Sequence, residues 1–299
     1  MTPLALFGDR NVLPALHVAL ASTLHSWTGP EPLEIHLFHR GLHAGDLALL
    51  QKTLSMAERP ARFHEAVFDI TRVAHWRTLY GSAMPYGRLF LPQLLPQHDE
   101  VIYLDADVVV DMDILKLRPE TVELVAAMPA WDFDHSQDAQ LAAEFGIAGT
   151  ETYYHSGALV VRLDQWRAEN LLARCLEFGD RYSDRLRSHD QTILNIVCRG
   201  RITPIPPPLT THLYPTALRD ETYPAESIRN FCGSPKPFDP LGNVLNSHYS
   251  LFEQWISRTA LAGWTPNNYE QLANVRRNLR LLPPMVSTAA RMLRNVFRR

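Results

Sequence analysis

The segment Val101-Ile-Tyr-Leu-Asp-Ala-Asp107 decides the fold, because an apolar run leads directly into two carboxylates. An uninterrupted apolar run of this kind is typical of a strand that is buried on both faces of a parallel sheet. In open α/β sheets, ligands bind outside the carboxyl ends of the strands. We therefore expect Asp105 and Asp107 to lie at a ligand-binding edge.

Strand patterns alternate with helical patterns on both sides of this segment. Such alternation predicts an α/β fold with a mostly parallel sheet flanked by helices. No linker is apparent before about residue 265, so we expect one domain over residues 1–265 and a tail over 266–299. The predicted strands are 4–7, 33–38, 63–68, 101–104 and 156–163, and the predicted helices lie around 13–27, 47–54, 85–95, 166–178 and 190–197.

The charge of the chain is unevenly distributed. The formal net charge is −3, yet the residues after Glu270 contain seven arginines and no acid, which leaves about −10 on the rest. Nucleic-acid-binding domains normally carry a basic footprint on the folded body. An acidic body with a basic end therefore argues against a nucleic-acid partner.

The cysteines and the amino terminus indicate the compartment. Cys175, Cys198 and Cys232 are odd in number and widely spaced, which suggests neither a disulfide framework nor a zinc ribbon. Asp9 and Arg10 follow the first few apolar residues, so a signal-peptide core has no room. We expect a cytoplasmic protein in a reducing environment.

The carboxylate pair suggests metal-assisted chemistry on a phosphorylated ligand. Two hard oxygen ligands spaced as in Asp105-Ala106-Asp107 can share one divalent ion, which can bridge the phosphates of a nucleotide diphosphate. Neither a Gly-rich dinucleotide fingerprint nor a Walker loop is present. Two alternatives remain open at this point: the aspartates cap a turn, or they form the nucleophile loop of a haloacid-dehalogenase-like phosphatase, with Asp105 as nucleophile and Asp107 as acid. The phosphatase alternative requires the loop to follow the first strand.

Several further motifs occur in a fixed order, and together they resemble the bacterial family 8 glycosyltransferases of the GT-A fold, which include lipopolysaccharide galactosyl- and glucosyltransferases. The resemblance extends over about residues 4–255. It implies a single GT-A domain with a nucleotide-binding sheet. The motifs are Phe7-Gly-Asp-Arg-Asn11, Tyr86-Gly-Arg88, Val101 to Asp107, His155-Ser-Gly-Ala-Leu-Val-Val-Arg-Leu163, His189-Asp-Gln191 and Gly233-Ser-Pro-Lys-Pro-Phe238.

The resemblance also implies roles for individual residues. Asp9 and Asn11 are expected at the uracil and ribose end of a UDP-sugar, and Arg88 along the diphosphate or the transferred sugar. Lys236 is expected to reach the diphosphate as its charge develops. Asp190 is expected to bind sugar hydroxyls, with Gln191 near the reactive carbon. The full implied set is Phe7, Asp9, Asn11, Arg88, Asp105, Ala106, Asp107, His155, Gly157, Asp190, Gln191, Gly233 and Lys236 for the nucleotide sugar, of which Asp190, Gln191 and Lys236 are the catalytic candidates.

The expected metal is Mn2+ or Mg2+, held by Asp105, Asp107 and Asn230. Asn230 is a departure, since the family pattern has His three residues before the Gly of its Gly-x-x-Lys-Pro motif. An amide oxygen still binds a hard ion, with a preference that leans toward Mg2+. His248 is the alternative third ligand. A second departure is His155, where the pattern has Asn next to the sugar.

The implied activity is transfer of galactose or glucose from a UDP-sugar, with retention at the anomeric carbon, to a glycan or glycolipid acceptor such as a lipopolysaccharide or capsule precursor. Retention without an evident second carboxylate favours front-face departure of the diphosphate, with Asp190 as the alternative nucleophile. Because Asn230 stands where the family pattern has His, there is a second possibility: a non-catalytic protein that binds sugar nucleotides.

The carboxyl-terminal segment resembles a surface anchor. Apolar residues from Leu279 to Phe297 alternate with arginines, as in basic amphipathic helices that lie on anionic membranes. Pro283-Pro284 is predicted to break the segment into two pieces. We expect this tail to attach the protein to the cytoplasmic face of the inner membrane, close to a lipid-linked acceptor.

Overall fold

A computed structural model describes residues 2–79, 81–216, 223–267 and 275–297 of the chain. Strands and helices alternate through the first half, as the sequence predicts. The described strands are β1 Leu4–Asp9, β2 Leu33–Arg40, β3 Ala61–Val67, β4 Glu100–Leu104, β5 Val108–Val110, β6 Val125–Asp132, β7 Thr152–Arg162, β8 Ile202–Pro204, β9 Thr210–Leu213 and β10 Ile228–Phe231. The described α-helices are α1 Leu13–Ser26, α2 Ala44–Met56, α3 Leu91–Leu94, α4 Ala139–Glu144, α5 Leu163–Ala168, α6 Leu171–Tyr182, α7 Asp190–Val197, α8 Gly242–Leu245, α9 Tyr249–Ile256 and α10 Val275–Phe297.

The strands form a large sheet and a small one. The large sheet has seven strands in the order β3-β2-β1-β4-β7-β6-β8, and the small sheet has the order β5-β10-β9. Strands β3, β2, β1 and β4 are mutually parallel, whereas β7 runs antiparallel to both of its neighbours. The predicted mostly parallel sheet flanked by helices is confirmed. Three residues, 105–107, separate the end of β4 from the start of β5 in the small sheet, so the two carboxylates lie between the sheets.

Alternation along β1 explains how the large sheet acquires two apolar faces. Leu4 and Leu6 pack in the cluster that contains Leu16 of α1, whereas Ala5 and Phe7 pack in the cluster on the other face. All four are buried. Because successive side chains of a strand point to opposite faces, one short apolar run supplies both cores.

Two predicted helices differ from those in the structure. The predicted helix at 85–95 is a 3-10 helix over Met84–Phe90 followed by the single turn α3, and each of these begins next to a proline. The predicted helix at 166–178 is divided into α5 and α6 by Asn170, whose φ of 49° lies in the left-handed region. Asparagine tolerates that region better than most residues, and the chain turns there.

Helix α10 is continuous through Pro283 and Pro284, so the predicted break is wrong. Buried side chains on both sides of the proline pair attach the helix to the body: Leu281 precedes the pair, and Met285 and Thr288 follow it. Thr288 Oγ1 donates a hydrogen bond to the Ser234 carbonyl at 3.0 Å. These contacts hold the helix although each proline removes an amide donor. Of the helices that the structure describes, none combines the length and the apolar character that crossing a bilayer requires.

The approach of Gly87 to Phe7 gives a test of this packing. A Cβ added at Gly87 would lie 2.2 Å from the Phe7 ring. We expect Gly87→Ala to lower the free energy of unfolding by about 1–3 kcal/mol, since the buried ring has to move. Urea denaturation measures the change. Gly45→Ala is the control, because a Cβ there meets nothing within 4 Å, and it should raise the unfolding free energy by up to about 1 kcal/mol. Equal effects of the two substitutions would contradict the packing.

Candidate active site

The two carboxylates are held between the sheets by their own backbone. The Asp105 amide donates to the Gly157 carbonyl of β7 at 2.8 Å, and the Asp107 carbonyl accepts from the Phe231 amide of β10 at 3.0 Å. Asp105 therefore belongs to the edge of the large sheet and Asp107 to the small one. The geometry agrees with the prediction that they lie at the carboxyl end of a buried strand.

A buried guanidinium organises the centre of the site. Arg88 has a side chain that is 5% exposed, and it pairs with Asp105 at 2.8 Å and with Asp190 at 3.1 Å. Its guanidinium carbon lies 4.4 Å from the centre of the Tyr103 ring, and Nη1 donates to the Ser156 carbonyl. A buried charge is stable only when it is paired and hydrogen bonded, and Arg88 meets both conditions.

Asp190 and Gln191 begin helix α7 and face the same centre. Ser156 Oγ donates to Asp190 at 3.1 Å, and the Ser156 amide donates to Gln191 Oε1 at 3.1 Å. His189 precedes them with a φ of 57°, and this sharp turn starts the helix. Burial raises the pKa of Asp190 to about 6, while the charge of Arg88 opposes the rise. Desolvation therefore changes the pKa of Asp190 more than its ion pair with Arg88 does.

Lys236 lies on the other side of the carboxylate pair. Its Nζ is 2.7 Å from Asp107 Oδ2 and also contacts the Phe231 carbonyl. The loop before it contains Gly233, at a φ of 70°, and a cis Ser234–Pro235 bond. Burial raises the pKa of Asp107, and Lys236 opposes that rise. Each carboxylate of the pair therefore has a cationic partner.

Asn230 and His155 lie together at the back of the carboxylates. Asn230 Nδ2 is 3.4 Å from Asp105 Oδ2, and Cys232 Sγ donates to Asn230 Oδ1 at 3.3 Å. A Cβ at Gly157 would lie 2.6 Å from both Asn230 Nδ2 and His155 Cε1, so only glycine fits between them. His248 lies at the start of α9, with Nε2 3.5 Å from the Tyr223 hydroxyl.

The end of β1 contributes Phe7 and Asp9. Asp9 Oδ1 accepts from the Asn11 amide at 2.9 Å, and Asp9 Oδ2 accepts from the Ser82 hydroxyl at 2.8 Å. Phe7 is a core residue, buried with its ring 5.0 Å from that of Phe38. Ala106 is likewise buried among apolar side chains. The side chains of Phe7 and Ala106, which were expected to contact the donor, therefore pack in the apolar core.

Three residues of the site were missed by sequence reasoning. Ser156 bonds both Asp190 and Gln191, Tyr103 donates to Asp105 at 2.6 Å, and Ser82 bonds Asp9. Ser156 and Tyr103 lie inside quoted motifs, so their positions were available from the sequence. Ser82 lies in a segment without periodicity, and no signal there pointed to it.

Comparison with known proteins identifies the family. Residues 3–238 match the family model described as glycosyl transferase family 8. General stress protein A of Bacillus subtilis is 27% identical over 276 residues, which cover 83% of this chain and 92% of that protein.

Two solved structures have the same fold. The galactosyltransferase LgtC, in complex with donor and acceptor sugar analogues, superposes with a TM-score of 0.69 at 19% identity, over 86% of this chain and 96% of that one. The bifunctional glycosyltransferase WbbM gives a TM-score of 0.68 at 20% identity, over 88% of this chain and 50% of that one. At these identities the likeness concerns the fold, whereas the family model matches most of the sequence. The chain belongs to glycosyl transferase family 8.

Proposed function

We propose that this chain transfers a hexose, galactose or glucose, from a UDP-sugar to a glycan or glycolipid acceptor such as a lipopolysaccharide or capsule precursor, with retention at the anomeric carbon. The main support for this proposal is the arrangement of charges in the site. Arg88 lies between Asp190 and Asp105 and pairs with both, and Lys236 pairs with Asp107. Two cations beside a carboxylate pair suit a ligand that brings a diphosphate and a divalent ion together.

The donor would lie across the edge formed by β1, β4 and the loop after β10. Asp9 is already oriented by the Asn11 amide and the Ser82 hydroxyl, which leaves lone pairs on both carboxylate oxygens for ribose or uracil. Arg88 and Lys236 supply positive charge along the diphosphate. Gly233 lets the backbone of its loop approach the phosphates closely.

Asp105, Asp107 and Asn230 would hold the divalent ion, Mn2+ or Mg2+. Carboxylate and amide oxygens are the ligands that such hard cations prefer. Burial raises the pKa of Asp107, and the nearby cation Lys236 opposes that rise only in part. Asn230 now turns Nδ2 toward Asp105, so a half rotation of its amide would present the oxygen. When bound, the ion would neutralise charge on the leaving diphosphate.

Asp190 is best suited to positioning the sugar. Its Oδ2 already accepts from Ser156 and pairs with Arg88, which leaves the other oxygen for a sugar hydroxyl. A carboxylate tied to a guanidinium is a weaker nucleophile than a free one, so the front-face route is favoured over a covalent intermediate. Lys236 would then stabilise the departing diphosphate, and Gln191 would lie near the reactive carbon.

Donor turnover tests the proposal. The purified protein is given a panel of UDP-sugars with Mn2+ or Mg2+, and UDP release is followed. We expect metal-dependent release from one donor and a loss of at least about a hundredfold in Asp105→Ala combined with Asp107→Ala. Asp99→Asn is the control, since its side chain is 87% exposed. Donor binding by calorimetry without any UDP release, even when glycan acceptors are added, would favour the non-catalytic alternative that Asn230 raises.

The raised pKa of Asp190 gives a pH prediction. An acid whose folded pKa lies above its unfolded value stabilises the fold in its protonated form, and this contribution is lost as the pH rises through about 6. Between pH 4 and 6, the unfolding free energy of the wild type should therefore fall relative to that of Asp190→Asn, by an amount on the order of 1–3 kcal/mol. Urea denaturation at several pH values measures it. If the unfolding free energies of the wild type and Asp190→Asn change in parallel with pH, the raised pKa does not belong to Asp190.

We propose in addition that α10 attaches the protein to an anionic membrane surface. Leu279, Leu282, Val286 and Leu293 are 54–64% exposed and share one face of the helix, adjacent to the face that packs on the body. Val244 of α8, a helix that contacts α10, and Leu241 just before α8 are also exposed apolar residues. Exposed arginines flank the apolar face at positions 280, 291 and 294, and each can add about 1 kcal/mol at an anionic leaflet.

Vesicle binding tests the attachment. Leu282→Glu combined with Val286→Glu should lower co-sedimentation with phosphatidylglycerol-containing vesicles by at least about tenfold, because two exposed apolar side chains that would enter the membrane become charged. Val67→Glu is the matched control, since Val67 is 73% exposed at the end of β3. Binding that is unchanged in the double variant, or absent from the wild type, would end the proposal.

A further inference from the structure

A second set of metal-ligating side chains lies behind Asn230. His155 of β7, His212 of β9 and Cys232, which directly follows β10, offer ligand atoms that all lie within 4.8 Å of one another. The rings of His155 and His212 are 4.2 Å apart in an edge-to-face arrangement. Three elements from both sheets thus converge on one point, which the widely spaced sequence positions did not indicate.

The two imidazoles are in the protonation state that binds metals. Burial holds the pKa of His155 well below its ordinary value and lowers that of His212 to about 4, so both rings are neutral near pH 7. Neutral imidazole is the form that coordinates a metal ion. Within the described part of the chain, His212 Nε2 is buried and has no hydrogen-bond partner. A buried polar nitrogen without a partner is costly, and a bound cation would remove that cost.

The thiol completes a mixed nitrogen and sulfur set. Cys232 is buried, and its Sγ donates to Asn230 Oδ1 at 3.3 Å. A coordinated ion deprotonates a thiol outright, so the proton would leave to solvent and the sulfur would become a thiolate ligand. Beside the two imidazoles lies a small cavity that His155, His212, Thr210 and Asn230 help to line.

We propose that His155, His212 and Cys232 bind a divalent transition-metal ion of the Zn2+ class. Two imidazoles and a thiolate suit a borderline-soft ion, in contrast to the oxygen ligands of Asp105 and Asp107. The cavity leaves room for water as a fourth ligand. The ion would join β7, β9 and the end of β10, and so fix the strand that leads into the Gly233 to Lys236 loop.

The two departures from the family pattern meet at this point. His155 stands where the pattern has Asn, and Asn230 stands where it has His, and the two side chains flank Gly157. The imidazole therefore stands on β7, beside His212 and Cys232, while the amide of Asn230 stands on β10. In register, His212 pairs with Asn230 across the parallel β9 and β10 strands. The amide of Asn230 separates the nitrogen and sulfur set from the carboxylates.

Cobalt substitution tests the site with a readout that is independent of sugar transfer. Co2+ is added to the metal-free full chain near pH 7.5, and absorbance is recorded without donor or acceptor. We expect a near-ultraviolet thiolate-to-cobalt band and visible bands of a four-coordinate ion, saturating at one equivalent and abolished by Zn2+. Cys232→Ser should lose the near-ultraviolet band, and His212→Gln should weaken Co2+ binding by at least about tenfold.

Two control variants separate this site from others. Cys175→Ser changes a buried thiol of α6 and should keep the band, as should Asp105→Asn combined with Asp107→Asn. A wild type without a thiolate band, or a band that persists in folded Cys232→Ser, would overturn the proposal. If Cys232→Ser fails to fold, His212→Gln decides the outcome, because undiminished Co2+ affinity in that variant is equally contradictory. A protein that fails to transfer sugar can still show the band, so the two proposals fail separately.

Discussion

The buried guanidinium of Arg88 is the constraint on which the site depends. A charge that is 5% exposed has lost its water. Its Nε donates to the Pro85 carbonyl of its own 3-10 helix, and Asp105, Asp190, the Ser156 carbonyl and the face of Tyr103 replace the rest of that water. These partners come from the end of β4, from β7 and from the first residue of α7. Because these partners come from separate segments, the contacts of Arg88 hold the three segments together.

The two carboxylates of the pair differ in the kind of cation with which each pairs. Asp105 pairs with a rigid, buried cation, whereas Asp107 pairs with Lys236, a flexible side chain on a loop. In the proposed function, an incoming diphosphate and divalent ion would draw Lys236 away from Asp107 and leave Arg88 in place. Asp105 would then hold the geometry while Asp107 and Lys236 exchange partners.

The sequence predicted five of the seven strands of the large sheet and the position of the carboxylates, because apolar runs such as Val101 to Leu104 have few alternatives. Strands β6 and β8 of that sheet were not predicted. Sequence reasoning failed where tertiary contacts decide the outcome. Strand β10 has four residues and no alternation to detect, Asn170 divides a helix through its left-handed backbone, and α10 continues through Pro283 since the body anchors it on both sides. The phosphatase alternative required the aspartates to follow the first strand. They follow the fourth, and membership of family 8 decides against it.

The donor site is tested most directly by a crystal structure of the chain with UDP and Mn2+, with data collected at a wavelength where manganese scatters anomalously. We expect an anomalous peak between Asp105 and Asp107, a diphosphate beside Lys236 Nζ, and an Arg88 that keeps both of its carboxylate partners. Nucleotide bound elsewhere, with the pair between Lys236 and Asp107 intact, would contradict the assignment of this centre as the donor site.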